Sequence, residues 1–185
     1  MSPTADQRTD EQESTGIGAW QQVASRALHP SGRDAEDVSL RVIAEGLAQV
    51  AVPWELRDGT APAERRYERV LATPAYDAWL IYWPAGFELP LHDHGGSWGA
   101  FSVVGGGLDE ITVVDGRRVS RRLERGDTVH FGPDHVHAVA NSTTLPATSL
   151  HVYSPPLSSM AYFEPADDGS LALVGEDPGG WADLR

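Results

Sequence analysis

Cysteine is absent from all 185 residues, which removes both the disulfide and the thiolate metal ligand from consideration. Basic charge is scarce, with 14 Lys and Arg against 27 Asp and Glu and a formal net charge of -13. Nucleic-acid binding draws on basic stripes, and this chain has only short Arg doublets, so no nucleic-acid partner is expected. Long apolar runs are missing too: none approaches the roughly 20 residues of a membrane helix. The first sixteen residues carry charges and no apolar core, so no secretory leader is expected. The expectation is a soluble cytoplasmic protein, without a membrane partner, for which a monomer is plausible. At this length one domain can bury about two thirds of its unfolded surface unaided.

What the chain does have is histidine. Six of its seven histidines lie between His92 and His151. Residues two apart in extended backbone point the same way, so His92 and His94 can present both imidazoles to one point while Asp93 faces elsewhere as a loop hydrogen-bonding residue. Such a cluster in a cysteine-free chain points to an all-nitrogen metal centre. Downstream stand His137 and Asn141, with His135 as a rival ligand two residues before His137. His130 is expected to be packed or hydrogen-bonded, and His29 to face solvent at a helix end.

Residues 1–16 hold too little apolar surface to offset the entropy of ordering and are expected to be a disordered tail. The rest, 17–185, reads as one domain with a helical segment at 17–50 and a β-barrel core at about 67–175. Ile17, Trp20, Val23, Ala24, Ala27 and Leu28 recur at near-helical spacing, as do Val38, Val42, Ile43 and Leu47. Beyond a linker around Pro53, Gly59 and Pro62, strands are expected over Tyr67 to Leu71, Ala78 to Trp83, Gly99 to Val104, Leu108 to Val114, Val119 to Leu123, Thr128 to Phe131, Ser149 to Tyr153 and Met160 to Glu164. A further short strand is expected over Leu171 to Val174. Asp115-Gly116 suits a two-residue hairpin. The class is all-β, a sandwich or barrel.

Ser149, His151 and Tyr153 alternate with Leu150 and Val152, so a strand would place the three polar side chains on one face. No Gly-x-Ser-x-Gly elbow surrounds Ser149, which argues against a hydrolase. A relay is the better reading, with Ser149 holding one nitrogen of His151 and the other facing Tyr153.

Gly86, five residues, His92-Asp93-His94, four residues, Gly99, six residues and Gly106 reproduce the spacing of the first cupin motif. Gly126, five residues, Gly132-Pro133-Asp134, two residues, His137, three residues and Asn141 fit the second, and that spacing favours His137 over His135. The chain thus resembles a cupin, a double-stranded β-helix or jelly-roll barrel, here preceded by helices. Gly99 departs from the usual glutamate ligand, which would leave three neutral histidines and a metal that keeps its full positive charge.

Closer still, Leu91-His-Asp-His94, His137-Ala-Val-Ala-Asn141 and Ser149-Leu-His-Val-Tyr-Ser-Pro-Pro-Leu157 resemble the type I cysteine dioxygenase family. The resemblance implies a mononuclear non-haem Fe(II) held by His92, His94 and His137, oxidising cysteine with O₂ to cysteine sulfinate. It implies an outer triad of Ser149, His151 and Tyr153, with Trp83 packed beside the pocket. Tyr67-x-Arg69 matches the family's Tyr-x-Arg motif, whose arginine binds the amino-acid carboxylate; Arg65 and Arg66 are expected to be solvated. Members that crosslink the active-site tyrosine carry cysteine at the position of Gly99, so Tyr153 should be uncrosslinked. The alternatives are a dioxygenase for another small thiol carboxylate such as 3-mercaptopropionate, a non-catalytic cupin binding a metal or small acid, and, last, a sugar-directed isomerase.

Overall fold

The computed structural model describes residues 33–54 and 62–179. The expected tail, the first helix and His29 lie outside the described residues, as does much of the linker. Helix α1 (Arg33–Val50) covers the second amphipathic pattern, burying Leu40, Ile43, Ala44 and Leu47 while Val42 stays exposed. None of the described helices is long and apolar enough to cross a membrane.

Eleven strands follow: β1 (Arg66–Ala72), β2 (Asp77–Trp83), β3 (Glu88–His92), β4 (Trp98–Gly105), β5 (Gly107–Val114), β6 (Arg117–Glu124), β7 (Thr128–Phe131), β8 (His137–Ala140), β9 (Ala147–Ser154), β10 (Met160–Pro165) and β11 (Leu171–Asp177). They form a five-stranded sheet, β1-β2-β9-β4-β7, and a six-stranded one, β11-β10-β3-β8-β5-β6, with antiparallel neighbours throughout. This is the double-stranded β-helix of a cupin. Each strand expected from the sequence is present. Val114 pairs with Arg117, and Asp115 and Gly116 both take positive φ (50° and 71°), the conformation of a type I′ hairpin.

Strands β3 and β8 were not expected. Pro90 interrupts β3, and a ring without an N–H weakens any strand pattern. The β3–β8 ladder absorbs it by shifting register between Leu89 and His92. Strand β8 is four residues, too short for alternation to show.

Strands β2 and β9 are buried along nearly all their length because both faces are covered. Ala78, Leu80, Leu150 and Val152 pack on α1, forming one apolar cluster with Leu40, Ile43 and Leu47. The alternate residues Trp79, Ile81, Trp83 and Tyr153 face the interior with Phe101, Leu108 and Val139. A near-continuous apolar run such as Ala78 to Trp83 is what double coverage requires. Ser149, His151 and Tyr153 of β9 therefore point into the barrel, while Thr148 faces the other way and accepts from Trp54 N–H.

Candidate metal centre and its cavity

His92 and His137 are direct partners across β3 and β8, where side chains of antiparallel neighbours approach most closely. Their ring centroids are 4.9 Å apart. His94 lies just past the end of β3, so strand alternation does not account for its convergence with His92; the loop 93–97 does. Within it Asp93 Oδ1 accepts the N–H groups of Gly95 (3.2 Å) and Ala161 (2.8 Å), pinning the turn to β10. The His94 ring stands 5.0 Å from both His92 and His137, and one nitrogen of each histidine lies within 4.8 Å of the others.

All three rings are buried, and burial lowers each pKa below its ordinary value. Neighbouring histidines push the same way. They are neutral near pH 7, so each offers a lone pair. His92 Nδ1–H donates to the Pro90 carbonyl (2.7 Å), and His137 Nδ1–H donates to Glu110 Oε1 (3.1 Å), which leaves Nε2 of each as the free acceptor. Nε2 of His137 and both ring nitrogens of His94 are enclosed without a hydrogen-bond partner. Buried polar atoms left unpaired cost stability, and a cation held by one lone pair of each ring offsets that cost at Nε2 of His137 and at one nitrogen of His94. The residues present fit a metal.

Glu110, His135 and His137 also lie close enough to hold an ion. Hydrogen bonds already explain that cluster: Glu110 accepts from His137, from His135 Nε2 (3.2 Å) and from Arg121 (2.6 Å). Burial would raise the Glu110 carboxyl, but these donors outweigh it and hold it well below the usual carboxylate range. Glu110 thus orients His137 from behind, and His135 stands outside the group formed by His92, His94 and His137. Glu110 is legible in the sequence only as a charged residue on the inward, Leu108 face of β5.

Gly99 is the register partner of both Phe131 and Tyr153. A Cβ there would overlap the Phe131 ring. That ring stacks on His94 (centroids 4.5 Å, planes 29° apart), while Tyr153 stacks on His94 as well (5.3 Å, 28°). The place of a fourth side-chain ligand is therefore taken by an aromatic ring that clamps the second histidine.

On the opposite sheet, Trp83 Nε1–H donates to Ser149 Oγ (2.7 Å), Ser149 Oγ lies 2.8 Å from His151 Nε2, and His151 Nδ1 lies 3.1 Å from the Tyr153 hydroxyl. Trp83 occupies one of the two lone pairs of Ser149 Oγ, which favours Ser149 giving its own proton to His151 Nε2. The single imidazole proton then sits on Nδ1 and is donated to the Tyr153 oxygen, which frees the phenol O–H to point elsewhere. Burial pushes the Tyr153 pKa above its ordinary 10.0, so the phenol stays protonated, and burial pulls His151 well below 6.5.

A cavity of about 110 Å³ has His92, His151, Tyr153, Trp83 and Tyr67 on its walls. The cysteine dioxygenase type I family matches residues 34–166, well over half of the chain. The chain belongs to the type I cysteine dioxygenase family. Among solved structures it is similar to TT1209 from Thermus thermophilus (20% identity, 51% of this chain and 87% of that one, TM-score 0.45). An uncharacterized conserved protein with a double-stranded β-helix domain from Klebsiella pneumoniae subsp. pneumoniae gives 21% identity, 63% and 89% coverage and a TM-score of 0.45. KdgF from Halomonas sp. gives 21%, 51% and 83%, with a TM-score of 0.43.

The two residues of the Tyr-x-Arg motif are placed differently. Tyr67 is on the cavity wall, but Arg69 is exposed and absent from it; its guanidinium lies over the Trp79 ring, 5.5 Å from the centroid. The β1–β2 pairing is regular from Arg66 to Arg69 and shifts only between Arg69 and Leu71. Arg65, expected to be solvated, lines the cavity instead. His130 is exposed on β7, away from the histidine group.

Proposed function

We propose that this member of the cysteine dioxygenase type I family is a thiol dioxygenase that converts L-cysteine to cysteine sulfinate at a single Fe(II) held by His92, His94 and His137. The observation that carries the reading is that one small cavity has on its walls both a histidine of the metal-binding group and the tyrosine that ends the Trp83-Ser149-His151-Tyr153 chain. A volume of about 110 Å³ is well below the several hundred Å³ of drug-sized sites, which suits a substrate of amino-acid size.

Three neutral ligands leave the ion its full charge, so when bound it supplies a Lewis-acidic centre that favours a thiolate and brings sulfur and O₂ together. The thiol proton is released, the O=O bond breaks, and two S–O bonds form. Four electrons pass from sulfur to oxygen, so no external reductant is required. The chain's own residues position and protonate. Tyr153, kept neutral by burial and accepting from His151 Nδ1–H, offers its own O–H to the reaction space. Ser149 and Trp83 fix the tautomer that makes this possible. Trp83 and Leu157 wall the space. Holding the reactants in one geometry provides much of the acceleration.

The test is anaerobic iron loading, then cysteine and ¹⁸O-labelled O₂, with mass analysis of the product. Two labelled atoms in the sulfinate are expected. Sulfinate lacking label, or full iron occupancy with no O₂ uptake across a panel of small thiols, would end the dioxygenase reading and favour a binding cupin.

A further inference from the structure

Asp77 is a buried carboxyl, 1% exposed, that neither the histidine group nor the tyrosine chain uses. It opens β2 as the register partner of Tyr153 on β9, and the next inward residue, Trp79, is the partner of His151. Its two oxygens are divided between two walls of the cavity. Oδ2 accepts the Trp79 indole N–H (2.9 Å), and Oδ1 accepts the backbone N–H of Leu157 (3.3 Å). Burial pushes the carboxyl above its ordinary value, while those two donors and the Arg69 charge pull it back. Trp79 has other neighbours: the Tyr67 ring meets it edge-on (6.1 Å, 62°), and the Arg69 guanidinium lies over it. Tyr67 in turn lies under the Arg65 guanidinium (5.4 Å), which also covers Trp83 (4.9 Å). Leu157 has no strand to hold it, since it lies in the connection between β9 and β10. Ser154 Oγ–H ties the start of that connection to the Ala75 carbonyl (2.9 Å), and Asp77 ties the part that reaches the cavity.

We propose that Asp77 is a positioning residue that sets how long a substrate the cavity takes, by holding Trp79 and Leu157 at a fixed separation. That the occupant is a thiol rests on the dioxygenase reading. A buried carboxyl costs stability that an apolar residue at this place would not. What it gives is direction: two acceptors at fixed points, one for a wall carried by a strand and one for a wall carried by a loop. A space of about 110 Å³ has little slack, so a longer occupant must displace one wall or the other. While both are tied to one carboxyl, that displacement breaks a buried hydrogen bond.

The experiment compares L-cysteine with L-homocysteine, one methylene longer, by titration calorimetry on full-length, iron-loaded protein under argon. Wild type should bind cysteine at least about tenfold more tightly, the low end of what one methylene is worth in a fitted pocket. Asp77→Asn keeps the size and one acceptor oxygen but turns an N–H donor toward one of the two donors already there. The preference should fall to about threefold or less, with iron content at the wild-type level. A loss of stability alone lowers the active fraction for both ligands and leaves the ratio of their Kd values where it was, so the ratio separates positioning from folding. A wild type without the preference overturns the proposal, as does an Asp77→Asn protein that keeps it in full. Should Asp77→Asn fail to fold, Asp77→Ser serves, because its shorter hydroxyl cannot reach both N–H groups: a fallen preference supports the assignment and an unchanged one opposes it. Oxygen uptake on the same samples judges the chemistry separately. A preference that depends on Asp77 without any O₂ uptake leaves the length assignment standing and ends the oxygenase reading.

Discussion

The two sheets contribute polar groups of opposite character to one interior. On the six-stranded side and its adjoining loop, the histidine group ends in ring nitrogens that nothing among the described residues satisfies: Nε2 of His137 and both nitrogens of His94. On the five-stranded side, Trp83, Ser149, His151 and Tyr153 pass hydrogen bonds from one to the next until every donor but the last is spent. An unsatisfied cluster is completed from outside, by a cation. A satisfied chain needs nothing added and serves to fix one proton in one place. The first should govern what is bound, the second how fast it reacts.

Removing a ligand should therefore produce the largest effect and erase metal rather than rate alone. His137→Ala is expected to purify without stoichiometric iron, by elemental analysis, and to lose the increase in Tm that added Fe(II) gives wild type under argon. At a hundredfold excess of metal over Kd that increase corresponds to about 2.7 kcal/mol. Stoichiometric iron in this variant would point to His135, already linked to the same carboxylate through Glu110.

Tyr153→Phe sharpens the contrast from the other side. It should keep iron at the wild-type level and lower kcat for O₂ uptake by about 100-fold, the scale of losing one placed donor. Loss of iron along with rate would mean that stacking of Tyr153 on His94 matters more than its hydroxyl.

Much of this division was legible in the sequence because it rests on short spacings. Ser149, His151 and Tyr153 needed only strand alternation. His92 and His94 were visible as a pair, although the reason differs: β3 ends at His92, and what brings His137 to it is cross-strand pairing over 45 residues. The strands that perform this were hidden, one by Pro90 and the other by its four-residue length. Arg69 occupies the family's motif position, yet it stands exposed over Trp79 while Arg65 lines the cavity. Local pattern identifies residues that chemistry needs. It does not show which of two nearby arginines lines the cavity, nor that Trp83 reaches Ser149 across 66 residues.

Gly99 joins the two sides, since it pairs with Tyr153 and Phe131 and its missing side chain leaves room for the ring on His94. Phe131 also stacks on His135 (5.1 Å, 21°), so it has little freedom to give way. Gly99→Ala should then cost about 1–3 kcal/mol by overpacking, measured by denaturant unfolding of the metal-free protein. Phe131→Leu in the same chain should recover most of it. A neutral Gly99→Ala would show that the ring moves freely and does not clamp His94.

The smallest expected effect tests whether the satisfied side acts as one device. Trp83→Phe keeps an aromatic ring but removes the N–H that occupies Ser149 Oγ. Ser149 can then accept from His151 instead of donating, the imidazole proton can shift to Nε2, and Tyr153 must spend its own O–H on Nδ1. The expected loss in kcat is about tenfold, the value of roughly one hydrogen bond, with iron content unchanged. The decisive measurement is the double variant. If Trp83 acts only through the tyrosine's proton, Trp83→Phe should cost almost nothing further once Tyr153→Phe is in place, because groups that act as a unit are not additive. A full additional tenfold loss would mean that the indole contributes by walling the cavity or holding Arg65, and that the chain of hydrogen bonds is a packing motif without directional consequence.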